Sequence, residues 1–226
     1  METGRGKVKT NRILLKQSPK QKDRLTIKSI LFDLGNVLLL YDARKSARAF
    51  AKALQVPEEK LWEGFFISDF EKAYTRGEIS SREFFKRASQ YFPNSKMSFS
   101  EFSHHWNDIF TESPGMDGLL GALKQHYPLY LISNTNELHY GHIKKTFPVL
   151  RHFKKCFPSH QVGHRKPDPK IFYHVLKDIQ LKPEETVFVD DITQFVEGAR
   201  RVGMNAIQFT SIGELKRDLK KLGVSV

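Results

Sequence analysis

The chain has 226 residues, 39% of them hydrophobic and 27% charged, and a formal charge of +12. That length fits one core domain with a smaller insert and excludes two full catalytic domains. No window approaches the roughly 18 consecutive apolar residues of a membrane-crossing helix, and the single cysteine, Cys156, excludes an intramolecular disulfide; a soluble, cytoplasmic protein with no membrane partner is expected.

Residues 1–26 hold eight basic residues against Glu2 and Asp23, which is half of the whole positive excess. The only apolar cluster in this stretch, Ile13-Leu14-Leu15, is far shorter than a secretion signal needs. A disordered basic tail is therefore expected, and nucleic acid is not expected as a partner beyond non-specific contact through it. Ser29-Ile-Leu-Phe-Asp33 follows, a short apolar run that ends in an acid and opens into Gly35-Asn36, as a buried parallel strand does. From Ala43 to Ser113 the texture changes: apolar residues recur every three or four positions over 43–54, 58–66, 70–76, 81–92 and 98–110, with Pro57, Gly77 and Pro93 between them. These predict a helical insert over 42–113 whose many aromatic residues mostly form its own core. Strand-like runs resume at Leu129–Ser133, weakly at Lys155–Pro158, then at Thr186–Asp190 and Ala206–Phe209, alternating with helical stretches at about 116–126, 137–146, 168–179, 193–202 and 211–222. Asp168 and Pro169 mark the start of one of them. The expected fold is an α/β doubly wound parallel sheet over 27–41 and 114–226, with the helical unit inserted after the first strand.

In such a sheet ligands gather at the carboxyl ends of the strands. Four polar clusters stand there: Asp33, Ser133-Asn134, Lys166 and Asp190-Asp191. Three carboxylates and a backbone carbonyl are hard oxygen donors suited to Mg²⁺. A nearby lysine can hold a phosphoryl oxygen as a point charge, and the Ser133 hydroxyl can donate to another. A carboxylate beside a metal can also act as a nucleophile.

The order and wording of these motifs, Phe-Asp33-Leu-Gly-Asn-Val, Leu-Ile-Ser133-Asn-Thr-Asn, Gly-His-Arg-Lys166-Pro-Asp-Pro and Val-Phe-Val-Asp190-Asp191, resemble the haloacid dehalogenase-like superfamily over roughly 29–212. The resemblance implies a Rossmann-like core with a C1-type cap formed by the insert, and a Mg²⁺-dependent phosphatase acting on a small phosphate ester through an aspartyl-phosphate. It makes Asp33 the nucleophile and a metal ligand, the Gly35 carbonyl a second ligand and Asp191 a third, with Asp190 supporting. Ser133 and Asn134 contact the phosphoryl group, and Lys166 stabilises the phosphoaspartate. Finer wording, including Arg76-Gly-Glu-Ile-Ser80 and Ser133-Asn-Thr-Asn136, looks like the branch containing bacterial α-D-glucose-1-phosphate phosphatases, which favours a sugar phosphate.

Two positions depart from the superfamily pattern. Gly35 stands where an aspartate usually transfers the leaving-group proton, and Phe195 where an asparagine or aspartate usually orients the metal's water or the lysine. Asp42 and Glu137 are the candidate substitutes as proton carriers. Two other readings stay open: a metal-free 2-haloacid dehalogenase using the same Asp33, and a catalytically weak binding protein of the same fold. Of the histidines, His139 and His142 read as a surface pair on a helix, and His164 as a loop residue bordering Lys166. The sequence gives no oligomeric state.

Overall fold

The computed structural model describes Met1 and residues 26–226, so the expectation of a disordered basic tail falls almost wholly outside the described residues. The strands are β1 (Ser29–Phe32), β2 (Leu39–Tyr41), β3 (Phe110–Glu112), β4 (Leu129–Ser133), β5 (Lys155–Pro158), β6 (Thr186–Asp190) and β7 (Asn205–Gln208). Five of them form a parallel sheet in the order β5-β4-β1-β6-β7. The alternation of side chains along each strand accounts for the layers above and below it. Ile30, Phe32, Leu129, Leu131, Val187 and Val189 face one buried cluster, while Leu31, Tyr130, Ile132 and Phe188 face another. The first face is covered by α6 (Met116–Leu123), α7 (Glu137–Thr146) and α11 (Ile212–Lys221), through residues such as Leu120, Ile143 and Leu215. The second is covered by α9 (Pro169–Ile179) and α10 (Thr193–Arg201), through Phe172, Val175 and Ala199. A four-residue helix, α8 (Ser159–Val162), follows β5. The chain reaches β4 and β5 on one side of β1 and β6 and β7 on the other, so β1 sits at the topological switch point.

Between β2 and β3 the chain forms α1 (Ala43–Leu54), α2 (Glu58–Leu61) with a following π-helical turn at Trp62–Phe66, α3 (Asp69–Thr75), α4 (Ser81–Ala88) and α5 (Phe99–Asn107). Side-chain caps from Asp42, Ser68, Ser80 and Ser98 start α1, α3, α4 and α5. Phe50, Phe65, Phe84 and Phe102 fill a third core that belongs to this unit. Two details differ from the sequence reading. The last helix stops at Asn107, because Asp108 leaves helical geometry at ψ 56°. The freed residues pair as β3 with β2 in an antiparallel ribbon, where Tyr41 and Phe110 bring their rings to 5.8 Å. Three residues per strand hold too little alternation to register as a pattern.

The helical unit is fastened to the sheet at α3 and α4. The fully buried Ser159 hydroxyl donates to the Thr75 carbonyl at 2.5 Å and accepts from the Thr135 N–H at 3.0 Å. The Leu138 N–H donates to the Tyr74 hydroxyl at 3.1 Å, and the Ser81 hydroxyl bonds Glu137. Gly77 closes the junction at φ +73°, where a Cβ would lie 2.0 Å from the His160 carbonyl oxygen. A left-handed backbone costs a non-glycine residue about 1–2 kcal/mol before any clash. Gly77→Ala is expected to lower stability by at least about 2 kcal/mol, or roughly 4–8 °C in Tm. Scanning calorimetry beside Gly163→Ala checks this, since that glycine has a similar φ of +81° but nothing within 4 Å of its Cβ; equal losses would remove the steric argument.

Candidate active site

The switch point explains why residues far apart in sequence meet. Asp33 follows β1, Ser133 ends β4 and Asp190 ends β6, and these three strands are neighbours. Ligand atoms of Asp33, Asp190 and Asp191 lie within 4.8 Å of one another, the one such acidic group found among the described residues. Lys166 arrives from the loop before α9. Its side chain is fully buried, and its ammonium donates to Asp33 Oδ1 at 2.6 Å and to Asp190 Oδ2 at 2.5 Å. The Asn134 side chain holds that loop in place: its Oδ1 accepts from the Lys166 N–H at 2.8 Å and its Nδ2 donates to the Lys166 carbonyl at 2.9 Å.

This geometry separates the roles of the three acids. Asp190 spends one oxygen on Lys166 and accepts the Ile192 N–H with the other at 2.9 Å, so it fastens the lysine and the turn after β6. Asp33 Oδ2 has no side-chain hydrogen bond among the described residues. Asp191 is oriented by Asn36, whose Nδ2 donates to its Oδ2 at 3.3 Å while its own Oδ1 accepts from the Tyr41 N–H. Asn36 has φ +54°, a left-handed conformation that asparagine tolerates, and this bends the chain sharply after Gly35. Three carboxylates face one ammonium, which leaves two negative charges to be met, the complement of one divalent cation. With hard oxygen donors on Asp33 and Asp191, and Asp190 beside them, the residues present fit Mg²⁺.

Burial raises the Asp33 carboxyl to about 6; Lys166 pulls it down and Asp190 pushes it further up. Burial alone would lower Lys166, but the two carboxylates outweigh it and hold the ammonium above its ordinary value. Asp191 is likewise raised, first by burial, with the Asn36 hydrogen bond opposing.

Beyond these groups lies a cavity of about 440 Å³. Its floor includes Asp33, Gly35, Ser133, Lys166 and Asp191, and the helical unit supplies the opposite wall through Trp62, Phe66, Glu71, Thr75 and Trp106. The aromatic residues of that unit thus divide: Phe65, Phe84 and Phe102 are core, whereas Trp62, Phe66 and Trp106 also face the cavity. A Cβ at Gly35 would meet nothing nearer than Tyr41 at 3.8 Å, so neither backbone nor packing forbids a side chain there. The Phe195 ring stands 5.0 Å from the Lys166 ammonium and the Phe188 ring 5.3 Å, so two aromatic rings flank the lysine.

The two suggested substitute proton carriers point elsewhere. Asp42 caps α1 and pairs with Arg48 at 2.8 Å, and Glu137 bonds Ser81; neither lines the cavity. His139 departs from the surface reading: it is buried, stacked on Trp106 at 5.1 Å and edge-on to Phe110, and burial lowers it to about 3. It shares a helix face with buried Ile143, four residues on. The residue that sequence reasoning missed is Glu71, which lines the cavity with Arg165; burial raises its carboxyl and Arg165 opposes.

Comparison with known proteins gives a consistent assignment. The chain is 27% identical over 201 residues to a D-ribitol-5-phosphate phosphatase of Bacteroides thetaiotaomicron, covering 85% of this chain and 97% of that one. It is 25% identical over 199 residues to a sesquiterpene phosphatase of Aspergillus oryzae, covering 87% and 97%. A crystal structure of a haloacid dehalogenase family enzyme from Bacteroides thetaiotaomicron, in complex with magnesium and inorganic phosphate, superposes with a TM-score of 0.74 at 29% identity, over 84% of this chain and 98% of that one. The sequence profile of the haloacid dehalogenase-like hydrolases matches residues 27–203, the stretch that runs from β1 through all four clusters. This chain therefore belongs to the haloacid dehalogenase-like hydrolases.

Proposed function

We propose that the protein is a Mg²⁺-dependent phosphomonoesterase that hydrolyses a small sugar or sugar-alcohol phosphate through an aspartyl-phosphate on Asp33. The observation that carries this reading is the charge pattern around Asp33. One oxygen is held by Lys166, and the carboxylate lies beside two further acids whose excess charge calls for a divalent cation. In the first step a carboxylate oxygen of Asp33 forms a bond to phosphorus while the bond to the leaving oxygen breaks. In the second, water attacks the same phosphorus, gives up a proton to solvent and releases the Asp33 carboxylate; the proton taken by the leaving oxygen in the first step also comes from solvent, since Gly35 has no side chain to carry it. Lys166 balances the charge of the phosphorylated aspartate, and the Ser133 hydroxyl donates to a phosphoryl oxygen. Because the Asn134 side chain is spent on the Lys166 backbone, any contact from Asn134 to phosphate is assigned to its main chain. Asp33, Asp191 and the Gly35 carbonyl would hold Mg²⁺, which would supply charge neutralisation for the transferring group. Residues 42–113 act as the lid that shields this chemistry from bulk water.

The relatives' printed activities support a phosphate ester of small size. A sugar-like leaving group is favoured over a purely apolar one because the wall above the phosphate site carries Glu71 and Arg165. The test is phosphate release from a panel of sugar and sugar-alcohol phosphates and p-nitrophenyl phosphate. Turnover with Mg²⁺ is expected to fall at least roughly 100-fold in excess EDTA and to return when Mg²⁺ is restored. Chloride release from 2-chloropropionate with EDTA present would establish the dehalogenase reading in its place.

A further inference from the structure

We infer that Glu71 and Arg165 form a hydroxyl-reading pair that selects a hydroxylated leaving group, a conclusion that rests on the phosphatase reading of the same cavity. Glu71 lies on α3 in the helical unit, and Arg165 directly precedes Lys166 in the core. Glu71 Oε2 and Arg165 Nη1 are 3.6 Å apart, an ion pair too long to be a hydrogen bond. Their side chains are only 19% and 26% exposed, and both line the cavity. The Arg165 Nη1 atom is sealed from solvent yet has no hydrogen-bond partner. That nitrogen therefore keeps unused donor capacity, which an oxygen on a ligand takes up once the guanidinium turns toward the cavity.

The chemistry of the pair restricts that ligand. Glu71 can only accept a hydrogen bond when ionised, and Arg165 can only donate. A hydroxyl group does both, donating to the carboxylate and accepting from the guanidinium. A second anionic group would be repelled by Glu71, and an alkyl or prenyl chain would leave both charges desolvated and unanswered. Around the pair, Trp62, Phe66 and Trp106 offer flat apolar faces, which suit the C–H surface of a polyol chain or sugar ring. Because the two partners come from different units, a hydroxyl bridging them also ties the helical unit to the loop that carries Lys166. The leaving group is thus held from both walls of the cavity.

The experiment compares two six-carbon monoesters, sorbitol 6-phosphate and n-hexyl phosphate, in wild type, Glu71→Gln and Glu71→Leu, with p-nitrophenyl phosphate as a control for intact chemistry and thermal melting as a control for folding. Wild type is expected to prefer sorbitol 6-phosphate. Glu71→Leu is expected to lose about 10- to 100-fold in kcat/KM on sorbitol 6-phosphate, mainly through KM. On n-hexyl phosphate and p-nitrophenyl phosphate it should change less than about threefold, with Glu71→Gln falling between. Equal losses in kcat on both alkyl esters would overturn the proposal in favour of proton transfer by Glu71. A wild-type preference for n-hexyl phosphate, or no change in the folded variants, would also overturn it while the phosphatase reading stood. No turnover of any ester, the control included, would bring down that reading with it.

Discussion

Asp33→Asn is expected to abolish turnover and at the same time to make the metal-free protein more stable. The amide has neither the charge nor the nucleophilicity to form a bond to phosphorus, and loss of a covalent nucleophile costs on the order of 10⁴-fold or more in kcat. The stability effect follows from linkage. The folded state raises the Asp33 carboxyl from 3.8 to about 6, burial being the main cause. The native protein therefore binds this proton more tightly than the unfolded chain does. The resulting penalty is full above pH 6, fades as pH falls through 6 and is gone below 4. Asparagine removes it, for an expected gain of about 1–3 kcal/mol at pH 7 that shrinks toward pH 4. Steady-state kinetics and denaturant titrations in EDTA at the two pH values measure both halves. Wild-type turnover by the variant would remove Asp33 from the nucleophile role, and a pH-independent stability difference would remove the burial argument.

Lys166→Met should do the reverse to stability. The lysine is fully buried between Asp33 and Asp190, so its loss leaves two buried carboxylates facing each other without their ammonium. Breaking a buried ion pair from one side costs about 3–5 kcal/mol, and here methionine keeps the volume while removing the charge. Activity is expected to fall by roughly 10³-fold as well, because the phosphorylated aspartate loses its counter-charge. Mg²⁺ should restore part of the lost stability but little of the activity, since a divalent ion can answer the carboxylates without standing where the ammonium stood. Thermal melts of wild type and variant, each in EDTA and in Mg²⁺, separate the two contributions. A variant as stable as wild type in EDTA would show that the ion pairs contribute nothing net to the fold.

Much of the sheet and of its candidate site edge was legible because buried parallel strands announce themselves as short apolar runs; an acid or serine ending one such run is commonly a cap or turn residue, but four polar clusters at strand ends together form a constellation. Asp33, Ser133, Asp190 and Asp191 were found in that way. The division of labour among them came from the family resemblance, which made Asp191 a ligand and Asp190 supporting, and not from their spacing. Nothing in the order Asp190-Asp191 says that the first is bonded to Lys166 and the Ile192 N–H while the second turns toward Asn36. Likewise Asn134 beside Ser133 suggests two phosphate contacts, yet its side chain replaces a backbone-like pair of bonds to residue 166. The wall contributed by the helical unit was least visible, because its members come from separate helices and share no spacing. Two signals were present: Trp62 and Phe66, and Glu71 and Thr75, are each four residues apart, and all four face the cavity.

The Ser159 junction has a consequence for traffic through the enzyme. A hydroxyl sealed from water that bonds the main chain on both sides behaves as a rivet, and pulling α3 off the sheet would strand the Thr75 carbonyl in a dry place. That edge stays shut. Ile67 and Ile192 stand half in solvent and also line the cavity, so its outer part is greasy even though the groups inside are polar.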